Sequence, residues 1–200
     1  MPYKDNSSQD ALGLMDSKKR TVLRTIRVPL EIDRVIQLDA SVKGISENVL
    51  LNLILRRYVE SYRYEEKIGV IVLPKVAFRN ILENSDESII EKIARDQGRE
   101  DPKEMIRFSG NEINLDSFLK FLSQLSRYNN WFSYEHSMIG NEHIIILHHD
   151  MGARWSKFMG GYLSEAVQNL FGVAIQVEEQ NSYVSLRFTL WNNIQNSNVL

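Results

Sequence analysis

The sequence predicts an α+β protein, with a small strand-helix-turn-helix module first and a larger α+β domain built on an antiparallel sheet after it. Three observations lead there. A β-branched basic run at residues 18–28 precedes two amphipathic helical patterns. Two pairs of alternating segments joined by short turns occupy residues 131–149 and 173–191. Between those pairs, residues 150–171 carry an apolar stripe at helical spacing.

The first strand is predicted where Val22, Ile26 and Val28 alternate with outward positions, and Pro29 ends it because proline has no amide for a ladder. Ile32, Val35, Ile36 and Ala40 then recur at helical spacing, with Glu31 and Asp33 in the first turn, where the helix dipole favours acids. Gly44 is expected to stop this helix. Ser46 is the expected N-cap of a second one, whose stripe is Val49, Leu50, Leu53, Ile54 and Tyr58. A lone strand leaves its ladder groups unpaired, and so small a unit buries too little apolar surface. Dimerisation repairs both defects: two strands pair antiparallel, and two helix pairs interlock beneath them.

Residues 18–64 resemble the ribbon-helix-helix repressors of the Arc and MetJ class. The resemblance implies an obligate homodimer on double-stranded DNA, its β-ribbon in the major groove. It implies base contacts at Leu23, Thr25 and Arg27, and phosphate contacts at Gly44, Ser46, Glu47 and Asn48 at the inter-helix turn. Two positions depart from the pattern. Leu23 is apolar where a polar reader is commoner, and suits a thymine methyl; Arg24 sits where the strand should face inward, and could turn to a phosphate.

Charge points the same way. Residues 18–66 hold ten Lys and Arg against seven Asp and Glu, a net +3, whereas residues 67–200 hold thirteen against sixteen, a net −3. Cations clustered at one strand in a nearly neutral chain make a local nucleic-acid footprint, with Lys18, Lys19, Arg20 and Arg24 supplying phosphate attraction.

Beyond residue 66 no linker is evident, since the second helix can continue to about Lys67 before Gly69. IGVIVLP at 68–74 reads as a buried strand. Helical patterns follow at 75–83 and 86–97, GREDPKEM at 98–105 reads as a polar loop, and Leu115, Phe118, Leu119, Leu122 and Leu125 mark another helix. From Trp131 onward the order reads ββαββ, with a Gly140-Asn141 turn, Asp150 as N-cap of the long helix, Gly172 closing it, and a second turn at Gln180-Asn181. The expected organisation is a disordered polar arm at 1–17, a DNA-binding domain at 18–66, a regulatory or oligomerisation domain at 67–191, and a frayed tail at 192–200.

His136, His143, His148 and His149 lie within fourteen residues. A two-residue turn at Gly140-Asn141 pairs Met138 with His143 and His136 with Ile145. His143 and His149 are then roughly 20 Å apart along one strand and cannot share an ion. His136 and His143 are diagonal neighbours and could, but a third ligand is missing, so no metal is expected. Nickel-responsive regulators also join such a module to a sensing domain; the resemblance stops at the module, because their metal site uses a cysteine and this chain has none. The cysteine count also excludes disulfides and thiol nucleophiles.

Asp150, Arg154, Trp155 and Lys157 bring charge and an aromatic to a strand-to-helix junction, and form the candidate ligand region. Ser109-Gly110 and Ser156 lack a neighbouring base in a nucleophile elbow. Gly160-Gly161 sits inside an amphipathic helix and serves close packing rather than phosphate binding. No catalytic residue and no cofactor are expected. No apolar run approaches the ~20 residues of a membrane span, and the N-terminus lacks a signal-peptide core, so a cytoplasmic location is expected. The resulting expectation is a dimeric transcription regulator, able to pair into tetramers, whose C-terminal domain oligomerises or senses a small-molecule or protein effector. The alternative is an antitoxin-like protein that binds a partner as well as DNA.

Overall fold

The computed structural model describes residues 21–190, and the chain divides into two compact units, one up to Arg63 and one from Tyr64. Expectations for the arm at 1–17, for Lys18, Lys19 and Arg20, and for the tail at 192–200 lie outside the described residues.

The first unit corrects the predicted fold class: its described part begins with helices, not with a β-ribbon. Residues 21–29 form no strand, and Val22, Leu23 and Ile26 are 71%, 91% and 64% exposed. The physical reason is the missing ladder, since β-branched residues favour a pleated surface only when a neighbouring strand supplies one. Helix α1, Leu30–Lys43, starts after Pro29 with Glu31 and Asp33 in its first turn, and ends at Gly44 in the left-handed conformation, φ 63°. Helix α2, Glu47–Arg57, is N-capped by Ser46, whose hydroxyl oxygen accepts from the Val49 amide. A π-helical turn over Tyr58–Tyr62 leads into α3, Arg63–Ile68, and Gly69 (φ 73°) follows. Ala40 and Leu50 are buried in this unit, but Ile32, Val35, Leu53, Ile54 and Tyr58 stay about half exposed.

The second unit holds α4 (Lys75–Glu83), α5 (Glu87–Phe108), α6 (Leu115–Gln124), β1 (Ser133–Ile139), β2 (Glu142–His148), α7 (Ala153–Phe171), β3 (Gln176–Glu179) and β4 (Tyr183–Thr189). The four strands form one antiparallel sheet in the order β1-β2-β4-β3. Alternation sends Ile145 and Leu147 of β2 and Val184, Leu186 and Phe188 of β4 to one face. There they meet Trp155, Met159, Leu163 and Val167 of α7 in a core that Phe118, Phe121 and Leu122 of α6 complete.

Three expectations for this unit are corrected. Residues 70–73 are exposed coil rather than a buried strand. Residues 98–105 are not a loop but the middle of α5, which runs through Gly98 and Pro102. Ile90, Ala94, Gly98 and Pro102 are buried at four-residue spacing, so the two loop-like residues lie on the stripe that faces inward. Packing outweighs propensity there: a Cβ on Gly98 would overlap the Tyr162 carbonyl of α7, and a Cβ on Gly161 would stand 3.2 Å from the Ala94 Cβ. The N-cap of α7 is Gly152, not Asp150, whose carboxylate instead pairs with Lys75 at 2.5 Å.

Gly98→Ala is therefore expected to cost about 1–3 kcal/mol, because the obstacle is backbone and cannot turn aside. Gly161→Ala, which meets only a methyl, should cost less. Urea denaturation of both variants checks the order, and equal midpoints for Gly98→Ala and the unaltered protein would refute the close-approach account.

Candidate functional site

Of the expected DNA-contacting residues in the described chain, Leu23, Arg24, Thr25 and Arg27 are all exposed on the segment before α1. At the inter-helix turn the donors are partly spent. The Gly44 amide donates to Ser41 and the Ile45 amide to Ala40, closing α1. The Ser46 hydroxyl keeps its proton free while its oxygen caps α2. The Asn48 side chain accepts from Asn52. An approaching phosphate would find the Glu47 and Asn48 amides at the positive end of the α2 dipole, with the Glu47 carboxylate opposing it.

The histidines sort by face. The strand register pairs Met138 with His143 and His136 with Ile145, which puts His136 and His143 side by side on the face toward the core. His136 Nε2 lies 3.1 Å from His143 Nδ1, the rings are within 19° of parallel, and their centroids are 5.4 Å apart. That separation is close to the N···N distance plus two ring radii, so the rings lie end to end and one N–H points at the other's lone pair. A chelated ion needs two lone pairs converging on a third point, and these face each other. The arrangement holds a proton between two imidazoles. Burial, and then His136 nearby, holds His143 below the usual histidine range. His148 lies on the opposite face, 3.7 Å from Glu135.

His149 enters a network that residue spacing did not reveal. The Met151 amide donates to His149 Nδ1 at 3.3 Å, so the ring's proton is on Nε2, which donates to Ser156 Oγ at 2.9 Å. The Ser156 hydroxyl in turn donates to the Gln180 carbonyl. Proton flow in a nucleophilic pair runs from serine to histidine, whereas here the histidine is the donor, so this pair ties the start of α7 to the β3-β4 turn and does not activate Ser156. Only the fold brings together His149, Ser156 and Gln180, which no short motif links.

The candidate ligand region is dispersed. Trp155 is 3% exposed, its ring against Phe78, Trp131 and Phe158 in the core. Asp150 is held by Lys75, which keeps its carboxyl below the ordinary range. Arg154 reaches Glu87 at 3.5 Å. Lys157 sits among Glu91, Glu87 and Glu179 at 3.1, 3.6 and 3.7 Å, and its hydrogen bond to Glu91, with Glu179 close by, raises its pKa. Two shallow grooves of about 340 and 410 Å³ share Lys157 and Glu179. Burial leads in raising Glu179, over the opposing pull of Lys157. Both cations of the region thus already face carboxylates.

Burial is the leading cause that holds His149 below the ordinary 6.5. The unfolded chain therefore binds more protons, and stability is full above pH ~6.5 and falls as pH drops through the depressed value. His143 contributes with the same sign. Thermal melts at pH 8 and pH 5 should show the loss, and His149→Gln, which retains a donor toward Ser156, should flatten it; an unchanged pH profile in that variant would remove His149 as a cause.

Compared with protein-family models and with curated proteins, the chain matches none.

Proposed function

We propose that this protein is a homodimeric, sequence-specific DNA-binding transcription regulator, in which the basic segment before α1 and the start of α2 meet DNA. The second unit, with its own core, serves sensing or further oligomerisation. The observation that carries the reading is the first unit's uncovered apolar surface. Ile32 and Val35 on α1 and Leu53 and Ile54 on α2 are 45–60% exposed, values of 50, 58, 49 and 50%. A unit with two buried hydrophobic side chains among its described residues, Ala40 and Leu50, lacks a core of ordinary size. A second copy of α1 and α2 supplies one.

Charge adds the partner. Arg24 and Arg27 are exposed beside this surface in sequence, in a chain whose remaining net charge is negative. Dimerisation doubles their local concentration and sets two half-sites related by symmetry, so the expected DNA is a near-palindrome. A cytoplasmic location goes with this function.

Fluorescence polarisation on labelled promoter DNA from the protein's own locus, against shuffled DNA over a salt series, tests the reading. Arg27→Ala should cost about 1–3 kcal/mol and relax sequence preference, while Lys19→Ala should weaken all sequences alike and reduce the salt slope by about one. Undiminished discrimination by Arg27→Ala would sink the base-reading role. Leu53→Asp should convert the dimer to monomer by light scattering and abolish tight DNA binding. A mass unaffected by that charge would move the interface elsewhere.

A further inference from the structure

We infer that β1 is an interaction edge, which pairs antiparallel with β1 of a second copy of this chain about a twofold axis at His136 and joins two four-stranded sheets into one. The inference rests on the proposed function in one respect, the oligomerising role given to the second unit.

Hydrogen-bond accounting exposes the edge. The Gly140-Asn141 turn makes Ile139 and Glu142 its flanking pair, which in a two-residue hairpin is the hydrogen-bonded kind. Ser133, Glu135, Ser137 and Ile139 therefore spend their main-chain groups on β2. Tyr134, His136 and Met138 point theirs the other way. Among the described residues no strand lies beyond β1, and none of these three makes a backbone bond outside the hairpin. Such a row is a template for another chain, and proteins guard it with proline, lysine, a bulge or brevity. β1 has none of these guards: it is seven residues long, in unbroken register, without proline, lysine or arginine.

The opposite edge is guarded. β3 has four residues, and its Glu179 carboxylate is drawn back to Gly160 and Lys157 of α7. The Gln180 amide donates to the Tyr183 carbonyl, so the outward main-chain groups of β3 are those of Val177 and Glu179. Identical strands related by a twofold axis must have one residue facing itself, because any offset would turn opposed side chains to different faces. On β3 that residue would be Glu179, which sets two carboxylates against each other, or Val177, which joins only the ends of two short strands.

A second copy of β1 fits its own edge. His136 is the middle residue of the strand, and with it on the axis Tyr134, His136 and Met138 all find partners, about six main-chain hydrogen bonds in total. Tyr134 then opposes Met138, and Glu135 opposes Ser137, so the strand's one carboxylate meets a hydroxyl rather than its own copy. On the inner face Met138, 56% exposed, gains the Tyr134 ring of the second copy, a sulfur-aromatic contact. That ring is held ready, since the Tyr134 hydroxyl donates to the Leu119 carbonyl of α6 at 3.2 Å. On the outer face Ile139, 66% exposed, comes to lie beside Ser133. Main-chain bonds supply the attraction and these pairs supply the choice of partner. Seven residues a side is well below the roughly 20–30 of a standard interface, so the pairing is weak and exchanges. Covalent trapping reads it better than mass does.

The chain has no cysteine, so introduced thiols report without background. Glu135 and Ser137 are exposed on the outer face, where a thiol disturbs neither the ladder nor the core. In the inferred register Glu135 of one copy and Ser137 of the other form a non-hydrogen-bonded pair with Cα atoms ~4.5 Å apart, within disulfide reach. Two copies of Glu135, or two of Ser137, lie on the diagonal at ~7–8 Å, beyond it. Full-length Glu135→Cys and Ser137→Cys proteins, differently tagged and mixed with oxidised glutathione, should form the mixed dimer about tenfold faster than either protein links to itself. Ser133→Cys with Ile139→Cys, the next such pair, should show the same preference. Equal rates for mixed and single proteins, or no linking in either pair, would overturn the inference. Fluorescence polarisation on DNA separates it from the proposed function. A mixed-pair preference in a protein that does not discriminate DNA upholds the edge and removes the regulator, whereas discrimination without that preference removes the edge alone.

Discussion

The close approach of α5 to α7 is the contact on which the second unit rests. Gly98 of α5 meets the Tyr162 backbone of α7, and Ala94 meets Gly161, so two helices pass without side chains to hold them apart. Once that distance is set, α7 lies on the inner face of the sheet with Trp155, Met159, Leu163 and Val167 directed into it. Gly160, the other half of the glycine pair, faces Glu179 and Val177 of β3, so neighbouring glycines admit a helix on one side and a strand on the other. Interiors pack at crystal-like density, and small residues at such crossings decide which side chains can fill the remaining space.

What the sequence made legible, and what it hid, divides along the range of the interactions. The β1-β2 register could be read from a two-residue turn and alternation alone, and Met138 opposite His143 is a local consequence of chain geometry. The α7 stripe and its stop at Gly172 (φ 69°) are equally local. Residues 98–105 were illegible because glycine, proline and five charges look like a loop until α7 is known to lie against Gly98. Asp150 has an N-cap's chemistry, but Lys75, distant in sequence, takes its carboxylate. At the candidate site, the spacing placed His136 beside His143, yet only the folded strands show that their nitrogens aim at one another.

The first unit and residues 70–73 share a different kind of illegibility. Their sequence patterns describe buried surfaces, and among the described residues nothing buries them. Val22, Ile26, Ile71 and Val72 are β-branched, and such side chains gain from a pleated neighbour rather than from the backbone alone. In the isolated chain both stretches are irregular and exposed. Here the disagreement between pattern and structure differs in kind from that at residues 98–105, where another helix of the same chain supplies the missing surface.

Charge pairing differs between the two units. In the second, cations answer carboxylates: Arg99 is 2.8 Å from Glu165, Arg79 2.8 Å from Glu83, and Lys157 lies amid three glutamates. Such exposed pairs add little stability individually, yet they leave those cations less available to an anionic polymer. Arg24 and Arg27 sit instead on an exposed segment with no acid between them and Leu30. A polyanion gains most where cations are not already neutralised and where condensed counterions can be released. Under the proposed DNA-binding function, that contrast favours the segment before α1 over the α7 junction as the contacting surface.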